Sequence, residues 1–531
     1  MTRILRAAFV LLLATLPCAQ LANAQSKSSS KTPTKSLEQF FEWVQSTHKA
    51  PFDRDGVRLP KGGAAALMRL RPAAGAMAAA PVGTNVKINR DRDPWPKAEI
   101  AVGVDPVNGS VVVMSNDFRE NYDKMYYHVS TNGGMAWSDD AMVGGNDPNT
   151  GFIPLTFQSD PGVAFDNRGH SILSTITGNL ILDINNGYEN LDTEVMVAEG
   201  FNHGTYSSLI PMIIDTQPCN GLFSGTFNCP AQLDKPLITV DSVPGSPNNG
   251  TIYVYYTVFC NSAPCPYGSG TIPKFGSAIV ESHSPGAGLP FSTPQIVSGS
   301  LSNEQFSSMV VDSHGVPHAF FDDFSSATGL NMYMSTLTSS GWVVNSTPVA
   351  TFVPLGTATI NWGFRLSGTF APGCGIHGDT AYCAFSANQA GSGQFESGLS
   401  VYLASVNTQT GASAIHRVNN DLFNSSSDHI FPWATAKGDG SVYVGFYDDR
   451  DDPLLTKVEY WVAKSTDGGA TFPVQKAVSD TSFNPCTGFP GCGFFGDYTQ
   501  IAAGPGGVVH AAWSDTRDRA TMQIYGQAIT W

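Results

Sequence analysis

The sequence predicts an all-β protein, a β-propeller built of four-stranded blades. Two observations carry this. One phrase recurs seven times along the 531 residues: an apolar strand, a turn rich in Asp and Gly, then a second apolar strand ending in a polar cluster. No convincing long helix interrupts the short β runs, which are separated by Gly, Pro, Asn and Asp. The phrase reads "AEIAVGVDPVNGSVVVMSND" at its first occurrence and "TQIAAGPGGVVHAAWSD" at its last. Its second strands begin near residues 110, 170, 251, 317, 380, 441 and 508, and two further strand-like runs follow most of them. A four-stranded blade has two apolar faces that only neighbouring blades can cover, so such repeats must close into a ring. The count is seven blades, or six if the repeat at 360–418 is an elaborated insertion.

The last repeat supplies only three strands before Trp531. The run "TNVKINR" at 84–90 is placed to supply the missing outer strand and lock the ring. The propeller then spans 83–531. Ahead of it, residues 1–24 read as a signal peptide: Arg3 and Arg6, the apolar "AAFVLLLATL", and "ANA" before Gln25. That apolar run is too short to span a membrane, and no later segment reaches its length. Residues 25–82 are low in complexity and read as a linker or pro-segment, with "SLEQFFEWVQSTH" as one short amphipathic helix behind a Ser cap.

Charge separates the same two regions. Residues 27–92 hold 12 basic and 5 acidic side chains, whereas 93–531 hold 15 basic and 39 acidic. An acidic body lacks the basic footprint that nucleic acid requires. Nine cysteines, less Cys18 in the leader, leave four close couples: Cys219/Cys229, Cys260/Cys265, Cys374/Cys383 and Cys486/Cys492. None has zinc-site spacing, and loop-stapling disulfides in an oxidising compartment are expected. The chain is read as secreted, extracellular or periplasmic.

Two short turns are nearly copies, "VSTNGGMAW" at 129–137 and "KSTDGGATF" at 464–472. Asp or Asn bonds its own turn backbone, Gly takes positive φ, and the aromatic plugs the gap between strands. Ser130, Asn132, Gly134 and Trp137, with Ser465, Asp467, Gly469 and Phe472, fit S-x-D-x-G-x-x-W. On these residues the chain resembles the sialidase-like (BNR/Asp-box repeat) β-propeller superfamily over about 83–531. The resemblance implies that these turns are structural and that function lies on the opposite rim.

That rim is where second strands run into third strands and blades join. Its loops read "SNDFRENYD", "DDFSSATG", "YDDRDDP" and "SDTRDRA". Arg119, Arg450 and Arg517 fall in blades adjacent in a closed ring, where three planar forks could clamp a substrate carboxylate. The competing reading is that each Arg pairs with its own Asp and pins its loop. The resemblance further implies Asp123 as acid/base and Tyr498 with Glu304 as nucleophile pair, Tyr nucleophiles being a recognised exception among glycosidases. The bland alternative for Tyr498 is an inner-strand aromatic packed at the central channel. The chain departs from the family in one segment: F/Y-R-I-P, which carries the family's first Arg, is replaced by "DPWPKAEIAV" with Lys97 nearby.

His170, His318 and His510 recur at the starts of second strands and read as strand residues. No metal ligand set is assigned and no cofactor is required. "DDRDD" at 448–452 has the composition of a calcium loop without EF-hand spacing, which leaves structural calcium open. Three functions follow: a glycoside hydrolase (or polysaccharide lyase) acting on acidic glycans, a non-catalytic propeller binding glycan or protein, or a structural cell-surface protein.

Overall fold

The structure is a computed structural model. It describes residues 84–531 except 92–94, 120–122, 139, 144–156, 184–187, 202–208, 221–229, 262, 326–328, 354–360, 363, 365–370, 490–491, 493 and 519–520. The segments expected to be a signal peptide (1–24) and a linker or pro-segment (25–82) lie outside the described residues.

Seven antiparallel blades of four strands follow one another along the chain. Their second strands start at Val111, His170, Ile252, Pro317, Thr380, Val442 and Val509, within one residue of the sequence reading. In blade 4 the third strand, Leu330–Thr338, pairs with Gly341–Val344 at one end and Ala350–Val353 at the other. The 360–418 repeat is a full blade, with strands Gly373–His377, Thr380–Ala387, Ser400–Asn407 and Ser413–Arg417. Blade 7 takes its outer strand from the N-terminal side, Val86–Lys87 pairing with Gly526 and Tyr525. Consecutive first strands touch around the ring, and those of blades 7 and 1 meet to close it.

Alternation along each strand sends apolar side chains to both faces of a blade, so the core lies in the seams between blades. The described core divides into seven clusters, one per seam. Met114, Tyr127, Val163 and Phe165 join blades 1 and 2, for example, and Tyr460 stacks on Trp513 between blades 6 and 7. Polar stitches reinforce the seams at the channel. Ser174 Oγ donates to Pro236 O at 2.7 Å, Ser386 Oγ to His429 O at 2.8 Å, and Ser514 Oγ to Lys97 O at 3.0 Å.

Among the described residues, disulfides join Cys260 to Cys265, Cys374 to Cys383 and Cys486 to Cys492. These are three of the four couples expected from spacing. The fourth expected bridge, Cys219 to Cys229, is not among them. Cys229 lies outside the described residues, and of Cys219 only the backbone is described, in the strand Leu209–Asn220, where it pairs with Leu191.

The two near-copied turns connect third to fourth strands of blades 1 and 6, and they are built alike. Gly134 N donates to Ser130 Oγ at 2.8 Å and Ala136 N to Asn132 Oδ1 at 2.9 Å. Gly469 N donates to Ser465 Oγ at 2.9 Å and Thr471 N to Asp467 Oδ1 at 2.9 Å. Gly469 sits at φ 83°, and a Cβ there would meet Leu403 Cδ2 at 2.5 Å, so the turn admits only glycine. Phe472 is buried behind it.

Candidate functional site at the channel mouth

At the opposite end each chain crossover delivers a first strand into the channel, and five of these strands open with the same irregularity. Register slips at Ala98/Ala101, Ser159/Gly162, Asp234/Leu237, Gln305/Ser307 and Ile430/Trp433. Inside each slip one non-glycine residue adopts positive φ: Glu99 at 54°, Asp160 at 58°, Lys235 at 51°, Phe306 at 54° and Phe431 at 52°. Each such residue costs about 1–2 kcal/mol, and a bulge re-aims the side chain it carries. Bulged side chains in blades 1, 2 and 3 are charged, while those in blades 4 and 6 are aromatic. The mouth therefore has a charged half and an apolar half.

Lys235 is the centre of the charged half. Its Nζ lies 2.8 Å from Asp497 Oδ2, 3.7 Å from Asp160 Oδ1, 3.9 Å from Asp234 Oδ1 and 4.0 Å from Glu99 Oε1. Asn116 fixes the geometry: it donates to Glu99 Oε2 at 2.6 Å and accepts from Asp160 N at 3.0 Å. Gln305 of blade 4 donates to Asp234 Oδ2 at 2.9 Å. Asp497 and Tyr498 arrive on a segment that runs beside the first strand of blade 1, where Gln500 N bonds Ile100 O at 2.9 Å. Lys235 Nζ also lies 5.8 Å from the ring centre of Phe306.

Four carboxyl groups surround one ammonium, and burial acts on the protonation of Glu99 and Asp234. Burial raises Glu99, although Lys235 pulls the other way. Asp234 is pushed up to about 6, again by burial, with Lys235 opposing. Burial works against the Lys235 charge, but the surrounding carboxylates outweigh it and its pKa rises. The Asp234 side chain is 22% exposed while those of Glu99, Asp160 and Asp497 are 3%, 7% and 2% exposed, so Asp234 is the carboxyl that meets solvent.

The sequence-derived candidates distribute as follows. Tyr498 is buried at this mouth; its hydroxyl donates to Pro161 O at 2.9 Å and its ring lies 6.4 Å from that of Trp433. Burial raises its pKa, and Asp160, Glu99, Asp497 and Asp234 raise it further, which keeps the phenol neutral. Asp123 lies beside Ser159 and Asp160, its carboxyl raised by burial. Glu304 is not among the charged groups around Tyr498. It faces Asn303, Ser298 and Asp323 at the seam of blades 3 and 4, and burial raises its pKa to about 8.

The three arginines do not converge. In each, the backbone N–H and the guanidinium bond the Asp two residues earlier, and the guanidinium stacks on a third-strand aromatic of the same blade. Arg119 Nε is 3.0 Å from Asp117 and its guanidinium carbon 3.9 Å from the Tyr126 ring centre. Arg450 Nε is 2.6 Å from Asp448, with Trp461 at 4.4 Å. Arg517 Nε is 2.9 Å from Asp515, with Tyr525 at 4.1 Å. Arg119 also pairs with Asp140 at 2.8 Å, and Arg517 with Asp480 and with Asn85 at 2.9 Å. Lys97 pairs with Asp91 at 2.8 Å and donates to Trp95 O at 3.0 Å.

Acidic loops elsewhere have comparable uses. In "DDRDD", Asp452 Oδ2 accepts from Thr456 N at 2.8 Å and Lys457 N at 2.9 Å. Among the described residues one group has metal-ligand spacing, Asp312, His314 and Asp379, with ligating atoms within 4.8 Å of one another. It lies at the turn end of the molecule. Asp312 already accepts from Gln409 at 2.6 Å, Val316 N at 3.0 Å and His314 N at 2.9 Å, and contacts His318 Nε2 at 3.0 Å. At that same end the channel widens into a cavity of about 710 Å³, lined by residues such as Ile238, Val310, Ile376 and Thr435.

Glu99, Asp160, Asp234, Lys235 and Asp497 were not reached from the sequence. The trace they leave there is a residue before Pro at first-strand starts: Asp160-Pro161, Lys235-Pro236 and, on the apolar side, Phe431-Pro432.

No protein-family model matches the chain, and no curated protein matches it. Solved structures similar to it include a protein of unknown function from Dyadobacter fermentans (11% identity, 69% of this chain, 94% of that one, TM-score 0.38). Others are a Hadza microbial sialidase (13%, 77% and 73%, 0.38) and a Penicillium chrysogenum α-L-arabinanase complexed with arabinobiose (9%, 86% and 98%, 0.41). Likeness at this level transfers neither substrate nor residue role.

Proposed function

We propose that this is an exported glycoside hydrolase acting at the channel mouth on an uncharged glycan. The observation that carries the reading is the Lys235-centred cluster. It sets a solvent-facing carboxyl raised to about 6, Asp234, beside carboxylates held by an ammonium. Glycosidic cleavage needs one carboxyl to protonate the leaving oxygen and a second to meet the developing positive charge. Asp234 takes the first role and Asp160, on the adjacent blade, the second. Trp433, which is half-buried, supplies apolar surface for a sugar face.

A neutral substrate fits better than an acidic one. Lys235, the cation of the cluster, is already enclosed by Asp497, Asp160, Asp234 and Glu99 and is not free to receive an anion. Arg119, Arg450 and Arg517 are each committed to Asp in their own loops. The test is a panel of chromogenic glycosides and neutral and acidic polysaccharides, with Asp234→Asn alongside. Turnover of neutral substrates, abolished by Asp234→Asn, supports the reading; turnover confined to sialosides or uronates overturns it.

A second reading, a non-catalytic glycan-binding propeller, is favoured by one observation. Tyr498 and every carboxyl of the cluster except Asp234 are nearly closed off from solvent. Glycan binding by the wild type with no turnover anywhere in the panel selects it.

A further inference from the structure

Large exposed apolar side chains gather on one part of the mouth-end rim. Phe395, Leu422, Phe423 and Leu454 are 62%, 85%, 50% and 78% exposed. They belong to three loops of blades 5 and 6: the second-to-third strand connection 388–399, the crossover 418–428, and the connection 449–458. Hydrogen bonds tie these loops into one surface. Ser397 Oγ donates to Asn424 Oδ1 at 2.8 Å, Arg450 to Asn420 Oδ1 at 2.6 Å, and Asp428 N to Asp449 Oδ1 at 2.8 Å. Solvated apolar groups on three linked loops mark a surface that something covers.

The occupant is identified by three features of the chain itself. The first is position. The propeller's N-terminal strand begins beside this surface: Asn85 donates to Val478 O at 2.6 Å and accepts from Asp480 N at 2.9 Å. A few residues on, Val458 and Phe483 exchange backbone hydrogen bonds at 2.8 and 3.0 Å, joining that crossover to the Leu454 loop. Residues 49–83 lie between residue 48 and that strand, and at about 3.3 Å each they reach any point of the rim.

The second feature is pattern. Leu37, Phe40, Phe41 and Val44 fall at i, i+3, i+4 and i+7, one stripe of a helix, with Glu38, Glu42 and Gln45 on other faces. Ser36 and Gln39 have the spacing of a capping box. A helix this short is marginal alone and needs an apolar surface to persist. The third is charge. Residues 27–83 carry 9 basic and 4 acidic side chains, and the Leu454 loop carries Asp449, Asp451, Asp452 and Glu459 against Arg450 and Lys457, in an acidic body. Apolar stripe meets apolar patch, and basic flanks meet an acidic border.

We propose that residues 36–48 of this same chain seat as an amphipathic helix on the Phe395/Leu422/Phe423/Leu454 patch. The docking is independent of any glycan chemistry at the mouth. Hydrogen exchange of the full chain tests it. Residues 37–47 are expected to exchange at least about tenfold more slowly than in a free peptide of that sequence. Leu422→Asp with Leu454→Asp removes this protection, as does Phe40→Asp with Phe41→Asp, with the thermal midpoint unchanged. A synthetic 35–50 peptide in excess displaces the segment without any substitution, and a scrambled peptide does not. Free-peptide exchange in the wild type, or protection that survives both the patch substitutions and the competing peptide, overturns the proposal. Protection that grows with protein concentration also overturns it, because the helix would then come from a second copy.

Discussion

Two regions at the mouth end pair basic with acidic side chains, and they do so in opposite ways. The Arg119, Arg450 and Arg517 loops each set one guanidinium on an Asp two residues away, roofed by an aromatic from the same blade. Lys235 draws carboxylates from blades 1, 2 and 3 and from the segment before blade 7. The first arrangement is anchored within its own loop and repeated in three blades; the second joins several blades and is made once. A device that recurs in several blades serves what those blades share, which is the turn between strands. A site needs the ring's symmetry broken, and at Lys235 it is broken by three charged bulges next to two aromatic ones.

The largest expected effect comes from removing the centre of the unique region. Lys235→Met leaves Asp160, Glu99 and Asp497 buried without their cation, and a loss of about 3–5 kcal/mol in unfolding free energy is expected. Urea denaturation measures it. A loss below about 1 kcal/mol, the range of surface pairs, would put Lys235 in the same category as the arginines.

Asp234→Asn separates chemistry from stability at the same place. It keeps the shape and the Gln305 contact, so the midpoint of unfolding stays put. Turnover of a neutral glycoside is expected to fall about 10²–10⁴-fold, the usual contribution of a positioned general acid. With a pKa of about 6, Asp234 holds its proton below that pH, so wild-type turnover falls as pH rises through 6. An unchanged pH profile in the variant breaks the acid assignment.

Glu304 separates burial from function. Its folded pKa of about 8 lies above the ordinary 4.5, so the folded chain retains a proton that the unfolded chain releases. The stabilisation is complete below about pH 4.5 and is lost as pH rises to about 8. Glu304→Gln should therefore be more stable than wild type at pH 9 and equal to it at pH 5 by thermal melting. Equal melting at both values refutes the burial argument.

How much of this was legible follows from the same contrast. The blades were legible because each repeat writes its own alternation and turns, and the closing strand was legible because Trp531 ends a three-stranded repeat. Spacing alone paired Cys260, Cys374 and Cys486 with their partners, since a bridge within one loop needs only near neighbours. For Cys219 and Cys229 the same argument stands as an expectation, Cys229 being outside the described residues. Arg450 was legible as a loop residue at the mouth end, but two readings of its direction stayed open. A carboxylate two residues away captures it, and only coordinates show Trp461 beneath it. The Lys235 cluster left almost no signal. Its members lie at or just before the starts of strands tens of residues apart, and a bulge turns Glu99, Asp160 and Lys235 inward against the alternation that a strand pattern predicts.

Arg450→Lys probes the repeated region with a smaller effect. Lysine keeps the charge but not the fork that spans Asp448 and Asn420, nor the planar stack on Trp461. A loss of about 1–2 kcal/mol is expected, with KM for a neutral glycan within about twofold of wild type. A rise of KM for acidic glycans alone, without loss of stability, would return Arg450 to a substrate clamp.

The smallest effect belongs to the turn at the far end. Asp467 accepts from Thr471 N at 2.9 Å and from Ser465 Oγ at 2.7 Å through a single oxygen, Oδ1. Asn132 makes the same two bonds, at 2.9 Å each, in the first copy of the turn. Asp467→Asn therefore keeps both Oδ1 bonds, and where Oδ2 accepts from Thr471 Oγ1 at 2.6 Å the amide can donate to that hydroxyl instead. The charge it removes is solvent-exposed, so unfolding free energy should move by no more than about 0.5 kcal/mol. Asp467→Ala, which deletes the acceptor, should cost about 1 kcal/mol. Neither substitution should alter turnover, since the turn joins third to fourth strands at the end opposite Lys235. A turnover defect in Asp467→Asn at unchanged stability would mean that chemistry reaches the turn end of the channel, and the division between the two ends would fail.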